Sequence, residues 1–195
     1  MLRGSWVELR PTEIGDADEL FTALDFPEVW RYIPASRPTS ADDWVTIIQA
    51  TKEMSAWFRW TVRLIQDVNG ISAGTIVGTT SYLDSSANDA RTEIGATTYA
   101  PSVWGSKVNP DAKHLLLDFA FESLGMGRVQ LKTDVRNTRS QRAIDRLGAT
   151  YEGVLRRYQR RGDDTIRDTV MFSITIEEWP SVKQTLLARI AQDEK

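Results

Sequence analysis

The chain is organised around the stretch from Thr97 to Gly125, TTYAPSVWGSKVNPDAKHLLLDFAFESLG. This stretch predicts a β-strand, a loop at Gly105, and a helix that Asn109 caps, Pro110 opens and Gly125 ends. The first N–H groups of a helix lack partners within it and carry partial positive charge. An anion such as a pyrophosphate satisfies such groups, although a helix N-terminus alone more often binds water or a capping side chain.

Composition excludes several classes of protein. A chain of 195 residues with 41% hydrophobic content can bury one core, so we expect a single domain over residues 1–195. No apolar run has the length of a signal peptide or a membrane span, which predicts a cytoplasmic protein without a membrane partner. The chain has no cysteine and one histidine, His114, so we expect no metal site, thiol catalysis or Ser-His-Asp triad.

Charge is distributed unevenly. Residues 128–167 contain eleven Lys and Arg against five Asp and Glu, a local balance of +6 in a chain with a net charge of -3. This segment is either a solvated surface or a region that meets an anion. The overall acidity argues against nucleic acid as the partner.

The periodicity of apolar residues predicts an α+β (mixed α/β) fold with one central, mostly antiparallel sheet of about seven strands flanked by helices. The predicted strands span residues 5–11, 57–66, 75–82, 91–99, 129–135, 151–158 and 169–176, and the helices span 16–24, 41–55, 110–124, 138–147 and 179–192. Residues 26–38 predict a loop whose Trp30 and Tyr32 either cap the core or line a substrate pocket.

Several segments carry a family resemblance through their order and spacing. They are VELRPT at 7–12, EIGATTY at 93–99, residues 103–134, NTRSQRAIDRLGATYEGVLRR at 137–157, and RDTVMFSI with EEW at 167–179. Together they resemble a GNAT acyltransferase, and within that superfamily the group that acetylates the N-terminal amines of ribosomal proteins. The resemblance implies the GNAT fold with a V-shaped gap between the fourth and fifth strands, and acetyl-CoA as the acetyl donor in that gap.

The resemblance also implies the residues that bind acetyl-CoA. Its pantetheine amides are expected to pair with Ala96, Thr97 and Thr98 and to contact Asn137. Its pyrophosphate is expected to meet the backbone of Trp104, Gly105, Ser106, Lys107, Val108 and Asn109. Lys107 and Asn109 depart from the glycine and small residue of the family pattern. We expect the Lys107 ammonium to reach the phosphate, its Cβ to restrict φ, and nearby Asp111 to repel the phosphate.

Acetyl transfer to an amine requires proton removal from the ammonium, stabilisation of an oxyanion and a proton for the departing thiolate. The unperturbed pKa values of an α-amine and a thiol are near 8 and 8.5, so positioning in a ternary complex, with direct attack, carries much of the rate. The resemblance implies Glu93 as the base and Ser140 as the acid, with a backbone N–H near Ala96 or Thr97 at the oxyanion. The residues alone leave open that Glu93 merely pairs with a cation and that Ser140 follows an ordinary Asn137 cap.

The leading hypothesis is an acetyl-CoA-dependent N-acetyltransferase that acts on a primary amine, most simply a protein or peptide N-terminus such as that of a ribosomal protein. Trp30, Tyr32 and Glu93 are the residues expected to contact this acceptor. Small amines, such as an amino sugar, a polyamine or an amino acid, are the alternative acceptors, and a non-catalytic acyl-CoA-binding protein is the alternative function. A monomer and a homodimer both fit the sequence.

Overall fold

The computed structural model describes residues 1–161 and 163–192, and its eight strands form one mixed sheet. The strands are β1 (Leu2–Arg3), β2 (Val7–Pro11), β3 (Trp57–Leu64), β4 (Ile76–Ser86), β5 (Arg91–Tyr99), β6 (Arg128–Asp134), β7 (Thr150–Arg160) and β8 (Ile166–Thr175). Their order across the sheet is β1-β2-β3-β4-β5-β6-β8-β7, and every neighbouring pair is antiparallel except β5 and β6. The predicted fold class is confirmed, with the two-residue β1 added to the seven predicted strands.

Six α-helices flank this sheet in the described residues. They are α1 (Ala17–Leu24), α2 (Pro27–Trp30), α3 (Ala41–Lys52), α4 (Val108–Asp118), α5 (Thr138–Asp145) and α6 (Trp179–Ala191). The side chains of Ser40 and Asn137 accept the N–H groups of Asp43 and Ser140, which confirms the predicted starts of α3 and α5. The one-turn α2, with Pro27 at its first position, lies inside the predicted loop. No helix in this part of the chain is both long and apolar enough to span a bilayer.

Helix α4 begins two residues earlier than predicted, and the prediction that Asn109 caps it is wrong. Lys107 already has helical angles, with φ -71° and ψ -12°, and the Ser106 hydroxyl accepts the Val108 N–H at 3.3 Å. Pro110 is therefore the third helical residue, where its missing N–H removes no intrahelical bond. The far end follows the prediction: a π-helical turn, Phe119–Ser123, precedes Gly125 with a φ of 63°.

Apolar side chains form a core on each face of the sheet. Successive residues of β4 point to opposite faces, so Ile76 and Val77 belong to different cores. Ile76 packs with Leu20 of α1 and Trp44 of α3, whereas Val77 belongs to the larger core of α4 and α6. The helices thus hold the sheet from both sides.

The parallel strands β5 and β6 pair only over their first residues. Arg91 to Glu93 pair with Arg128 to Gln130, and beyond Glu93 the two strands separate. On its other edge β5 has a bulge against β4, where Ala96 adopts a φ of 44°. This separation is the predicted V-shaped gap, which the structure confirms between β5 and β6.

A buried carboxylate ties α4 to the first strands. The two oxygens of Asp111 accept the backbone N–H groups of Ser5, Trp6 and Val7 at 3.3, 2.7 and 3.0 Å, and Asp111 is only 2% exposed. Hydrogen bonds to a charged group are stronger than neutral ones, and a buried donor without a partner is costly. Asp111 therefore sets where α4 sits relative to β2.

We expect Asp111→Ala to lower the free energy of unfolding by about 2–4 kcal/mol, because it removes three hydrogen bonds to a charged group and leaves the buried Val7 N–H unpaired. Chemical denaturation monitored by circular dichroism measures the change. Asp145→Ala, which removes an exposed helical carboxylate, is the matched control and is expected to change stability by less than about 0.5 kcal/mol. Equal effects of the two substitutions would contradict a role for Asp111 in joining α4 to β2.

Candidate active site

A cleft of about 970 Å³ runs along the gap between β5 and β6. One half lies at the start of α4 and α5, where Gly105, Asn109 and Ser140 line it. The other half lies under the α2 region and the end of β7, where Tyr32 and Tyr158 line it. The gap therefore leads from a helix N-terminus to a more open chamber.

The loop before α4 presents backbone donors to the first half of the cleft. Gly105 has a φ of 82°, a left-handed conformation that glycine adopts without strain. Within residues 1–161 and 163–192, no acceptor takes the N–H groups of Gly105, Lys107 and Asn109. Three unpaired donors at a helix start fit the pyrophosphate of acetyl-CoA.

The other N–H groups predicted for the pyrophosphate have partners inside the loop. Trp104 donates to the Pro101 carbonyl at 3.1 Å, Ser106 to the Val103 carbonyl at 3.4 Å, and Val108 to the Ser106 hydroxyl. These residues shape the loop with their own hydrogen bonds, and Ser106 and Val108 are buried. The free donors thus alternate along the loop with donors that are already used.

The Lys107 ammonium points away from the cleft, so its predicted approach to the phosphate is wrong. Its Nζ donates to the carbonyls of Arg189, at 2.7 Å, and Gln192, at the C-terminal end of α6. A cation is favourable there because the last carbonyls of a helix carry partial negative charge. The φ of -71° at Lys107 is ordinary, so the expected restriction by its Cβ is also absent. Asp111 faces the strands, so the predicted repulsion of a phosphate does not apply.

A different cation stands next to the loop. The Arg139 guanidinium lies 3.4 Å from the centroid of the Trp104 ring, and the Trp104 indole N–H donates to the Tyr99 carbonyl at 2.9 Å. Both side chains line the cleft. Arg139 was not predicted as a site residue, because its stacking partner Trp104 is far away in the sequence.

The edge of β5 forms one side of the gap. Ala96 and Thr97 are half-buried, and neither they nor Thr98 pair with β6. The Thr97 hydroxyl lies 2.8 Å from that of Thr80, and the Thr98 hydroxyl lies 3.2 Å from that of Thr79. The side chains are thus held by β4, while the backbone of this edge stays open toward the gap.

Beneath this edge lies a buried lysine that the sequence analysis did not identify. Lys113 of α4 is 5% exposed, and its Nζ donates to the hydroxyls of Thr97, at 2.7 Å, and Thr80, at 3.3 Å. No carboxylate of the described residues lies within 4.0 Å of it, and burial lowers its pKa to about 7. Its spacing from Leu116, Leu117 and Ala120 was the available signal, because i, i+3, i+4 and i+7 share one helix face.

Glu93 lies at the point where β5 and β6 separate. Its carboxylate is 2.6 Å from the Lys132 Nζ and 3.4 Å from the Gln130 Nε2, and the residue is 4% exposed. Gly95 makes room for it, since a Cβ at residue 95 would be 2.6 Å from the Glu93 Oε1. The cation that pairs with Glu93 is therefore Lys132 rather than Arg91, which pairs with Asp84 and Asp89.

Lys132 connects Glu93 to the far half of the cleft. Its Nζ donates to the Tyr158 hydroxyl at 3.2 Å as well as to Glu93. Burial alone would lower the pKa of Lys132, but the hydrogen bond and charge of Glu93, with a smaller contribution from Tyr158, raise it above its ordinary value. Lys132 therefore remains an ammonium that fixes the Glu93 carboxylate.

Asn137 caps α5, Ser140 is the residue whose N–H it caps, and both residues line the cleft. The Asn137 Oδ1 accepts the Ser140 N–H at 3.1 Å, as ordinary capping requires. The Ser140 hydroxyl has no hydrogen-bond partner among the described residues, so it is free to face a ligand. The structural and the ligand-binding interpretations are compatible here.

Trp30 and Tyr32, the two aromatic residues predicted to contact the acceptor, lie in different places. Tyr32 lines the cleft. Trp30 does not line it, because its indole N–H donates to the Leu24 carbonyl at 2.8 Å and its ring packs edge-on against Trp44. Trp30 thus takes the core-capping alternative.

We expect Lys113→Met to stabilise the protein most below about pH 7. There Lys113 is charged in both the folded and the unfolded chain, and the full cost of burying the ammonium opposes folding. Between pH 7 and 10.5 the unfolded chain holds a proton that the folded chain has lost, so stability of the wild type rises by about 1.4 kcal/mol per pH unit for this group. The advantage of the variant should shrink accordingly, as measured by urea denaturation from pH 6 to 10. Exposed Lys52→Met is the control, and a pH-independent advantage of Lys113→Met would contradict the assignment.

The chain is similar to a known protein family and to curated relatives. The model of the acetyltransferase (GNAT) domain matches residues 7–150. The uncharacterized N-acetyltransferase p20 of Bacillus licheniformis is 27% identical over 174 residues, which cover 88% of this chain and 93% of p20.

Solved structures agree with the family. A T. thermophilus protein assigned to the acetyltransferases is 34% identical, with a TM-score of 0.86 over 96% of this chain and 95% of that one. Mycobacterium smegmatis RimJ in complex with CoA-disulfide shares the fold, with a TM-score of 0.80 at 22% identity over 94% of this chain and 88% of that one. Since the family model covers most of its length, the chain belongs to the GNAT acetyltransferase family and is an acetyl-CoA-dependent N-acetyltransferase.

Proposed function

We propose that this protein transfers the acetyl group of acetyl-CoA to the N-terminal amine of a peptide or protein. The observation that carries the proposal is the buried Glu93 carboxylate, which stands between the open edge of β5 and the chamber lined by Tyr32. A carboxylate at this junction can take a proton from an amine that approaches from the chamber. Resemblance to the group that acts on ribosomal proteins favours their N-termini as acceptors.

The donor half of the cleft is assigned to acetyl-CoA. The unpaired N–H groups of Gly105, Lys107 and Asn109 hold its pyrophosphate, the edge from Ala96 to Thr98 pairs with its pantetheine arm, and Asn137 contacts that arm. RimJ of M. smegmatis, which shares the fold, binds a CoA disulfide, and this supports the assignment. When bound, acetyl-CoA supplies an activated thioester.

The chain itself moves protons and positions the reactants. Glu93 accepts the amine proton at its carboxylate, directly or through one water, while Lys132 and Gly95 fix where that carboxylate lies. The Ser140 hydroxyl, which has no partner in the described residues, donates a hydrogen bond to the departing sulfur, and as its proton passes to the sulfur a solvent water returns one to the hydroxyl. Because an α-amine has an unperturbed pKa near 8, a weak base at the right position is sufficient near neutral pH.

A small polycationic amine is the second candidate acceptor. The Glu28 carboxylate lines the cleft without an ion-pair partner among the described residues and favours positive charge, whereas Asp84, which also lines it, pairs with Arg91. The half of the cleft beyond Glu93 favours the peptide instead, because both Tyr32 and Tyr158 line it and offer contacts to an extended segment.

Calorimetry with acetyl-CoA, followed by release of the CoA thiol, tests the proposal. The acceptors are peptides that begin with Ser, Ala or Thr, together with a polyamine, an amino sugar and a free amino acid. Release with peptides alone supports the proposal. Release with a small amine alone would replace the peptide acceptor, and tight binding without any release would favour a non-catalytic acyl-CoA-binding protein.

We expect Glu93→Gln to lower kcat/KM by about 10²- to 10⁴-fold, the usual contribution of a general base. Acetyl-CoA affinity should stay within about threefold, because Glu93 lies outside the donor loop; calorimetry measures it. Glu19→Gln, which removes an exposed carboxylate of α1, is the matched control. If Glu93→Gln keeps kcat/KM within threefold of the wild type, Glu93 is not the base.

The same assay tests Ser140. Ser140→Ala is expected to lower kcat with little change in the affinity for acetyl-CoA, since the hydroxyl is assigned to the departing sulfur. A loss of donor affinity with unchanged kcat would instead assign the hydroxyl to binding.

A further inference from the structure

Arg167 is a buried guanidinium at the wall of the cleft. It is 6% exposed, its Nε donates to the Thr169 hydroxyl at 3.0 Å, and its Nη1 lies 3.5 Å from the Tyr32 carbonyl. No carboxylate oxygen of the described residues lies within 4.0 Å of it. Its remaining N–H groups are therefore available to a ligand in the cleft.

Other cations on this part of the sheet already have acidic partners. Lys132 pairs with Glu93 at 2.6 Å, Arg161 with Asp134 at 2.8 Å, and Arg128 with Glu152 at 2.5 Å. Arg167 differs from them because it is buried without such a partner.

An unpaired buried arginine is costly in a way that a lysine is not. Burial lowers the pKa of Arg167, and the charges of Asp134 and Glu93 oppose that effect only in part. A guanidinium nevertheless stays protonated in proteins, so it cannot escape the cost by losing its proton. Arg59 is half-buried, but it stacks over the rings of Trp57 and Trp44 and does not line the cleft.

Arg167 and Glu93 lie on the same face of the sheet. Across the sheet, Glu93 of β5 pairs with Gln130 of β6, which pairs with Ser173 of β8. Arg167 lies six residues from Ser173 along β8, so its Cα is displaced from that of Glu93 by about 20 Å along the strand direction, at 3.3 Å per residue. The Arg167 side chain runs back toward Thr169, which brings its charge closer to Glu93. Glu93 is among the charges that raise the pKa of Arg167, so the two side chains can meet the two ends of one short extended segment, with an amine at one end and an anion at the other.

The anion is assigned to the acceptor rather than to acetyl-CoA. The free N–H groups for the donor pyrophosphate are at Gly105, Lys107 and Asn109, on the half of the cleft next to Arg139. Arg167 instead contacts Tyr32, in the half beyond Glu93. An arginine fork also matches the planar geometry of a carboxylate through two parallel hydrogen bonds.

We propose that Arg167 binds a carboxylate of the acceptor, so that the preferred acceptor is a peptide N-terminus with Glu or Asp at its second residue. The assignment rests on the proposed function, because it takes Glu93 to face the reacting amine. An acceptor with the carboxylate pairs with the buried guanidinium, whereas an acceptor without it leaves the charge unpaired. This difference in affinity gives the specificity.

The test compares Ser-Glu-Ala-Ala with Ser-Gln-Ala-Ala, both amidated at the C-terminus so that they differ in one carboxylate. For the wild type we expect kcat/KM to be at least tenfold higher with the Glu peptide. Arg167→Gln should bring the two peptides within about twofold by slowing the Glu peptide alone. Arg167→Lys should keep part of the preference, and exposed Arg160→Gln, which removes the same charge from the neighbouring strand, should keep all of it.

A second measurement does not depend on turnover. N-acetylated forms of the two peptides are titrated into the CoA-saturated protein in a calorimeter, and the Glu form should bind at least tenfold more tightly to the wild type but not to Arg167→Gln. If Arg167→Gln does not fold, Arg167→Lys decides the result through the reduced preference.

Three outcomes would overturn the assignment: no preference in the wild type, a preference that persists in Arg167→Gln, or a tenfold loss of acetyl-CoA affinity in that variant, which would place Arg167 on a donor phosphate. Absence of release with every amine would overturn the proposed function instead, and the calorimetric comparison would still decide the role of Arg167.

Discussion

The separation of β5 from β6 after Glu93 determines almost everything that follows in the site. Parallel pairing continues only from Arg91 to Glu93, and the bulge at Ala96 then bends β5 away from the line of the ladder. A strand that loses its neighbour exposes a row of backbone N–H and C=O groups, which is unfavourable unless water or a ligand takes them. The same separation leaves Glu93 at the narrow end of an open cleft.

Three polar side chains of the α4 region hold the neighbouring elements of the fold in place. Asp111 holds the N-terminal strands, Lys107 holds the end of α6, and Lys113 holds the Thr97 side chain. Because these side chains point away from the loop, the departure from the family pattern at Lys107 leaves the unpaired N–H groups of the loop accessible. Within this loop, Gly105 is the residue with a left-handed backbone conformation, with a φ of 82°, and glycine adopts it without strain.

Local signals in the sequence predicted local structure well. Ser40 and Asn137 cap their helices as expected, and the predicted range of β5 matches the structure, since capping and alternation depend on residues close in sequence. Asn109 failed as a cap because the helix already begins at Val108, so the Asp111 N–H donates to the Lys107 carbonyl, a choice that the residue types do not decide. The site was predictable only where a family resemblance supplied it, and that resemblance pointed to Glu93, Asn137 and Ser140, all of which line the cleft. It did not supply the Lys132 partner of Glu93, the stacking of Arg139 on Trp104, or the approach of Arg167 to Tyr32, which joins residues 135 positions apart. Such contacts depend on the arrangement of whole strands, so neither periodicity nor capping chemistry reports them.

Lys113 and Arg167, two buried cationic residues that line the cleft, differ in whether they can lose their charge. Lys113 can lose its proton, so the cost of burying it falls as the pH rises, and two hydroxyls are sufficient partners for a neutral amine. Arg167 cannot lose its proton, so its charge persists in the free protein whatever the pH. An unpaired guanidinium in the wall of a cleft destabilises the fold until an anion pairs with it. An acceptor with an anion therefore gains binding free energy that an acceptor without one does not, and this difference in affinity is specificity. Lys113 thus stabilises the edge of β5 through the hydroxyls of Thr97 and Thr80. Arg167 is suited instead to an anion from outside the described residues, because none of their carboxylates pairs with it.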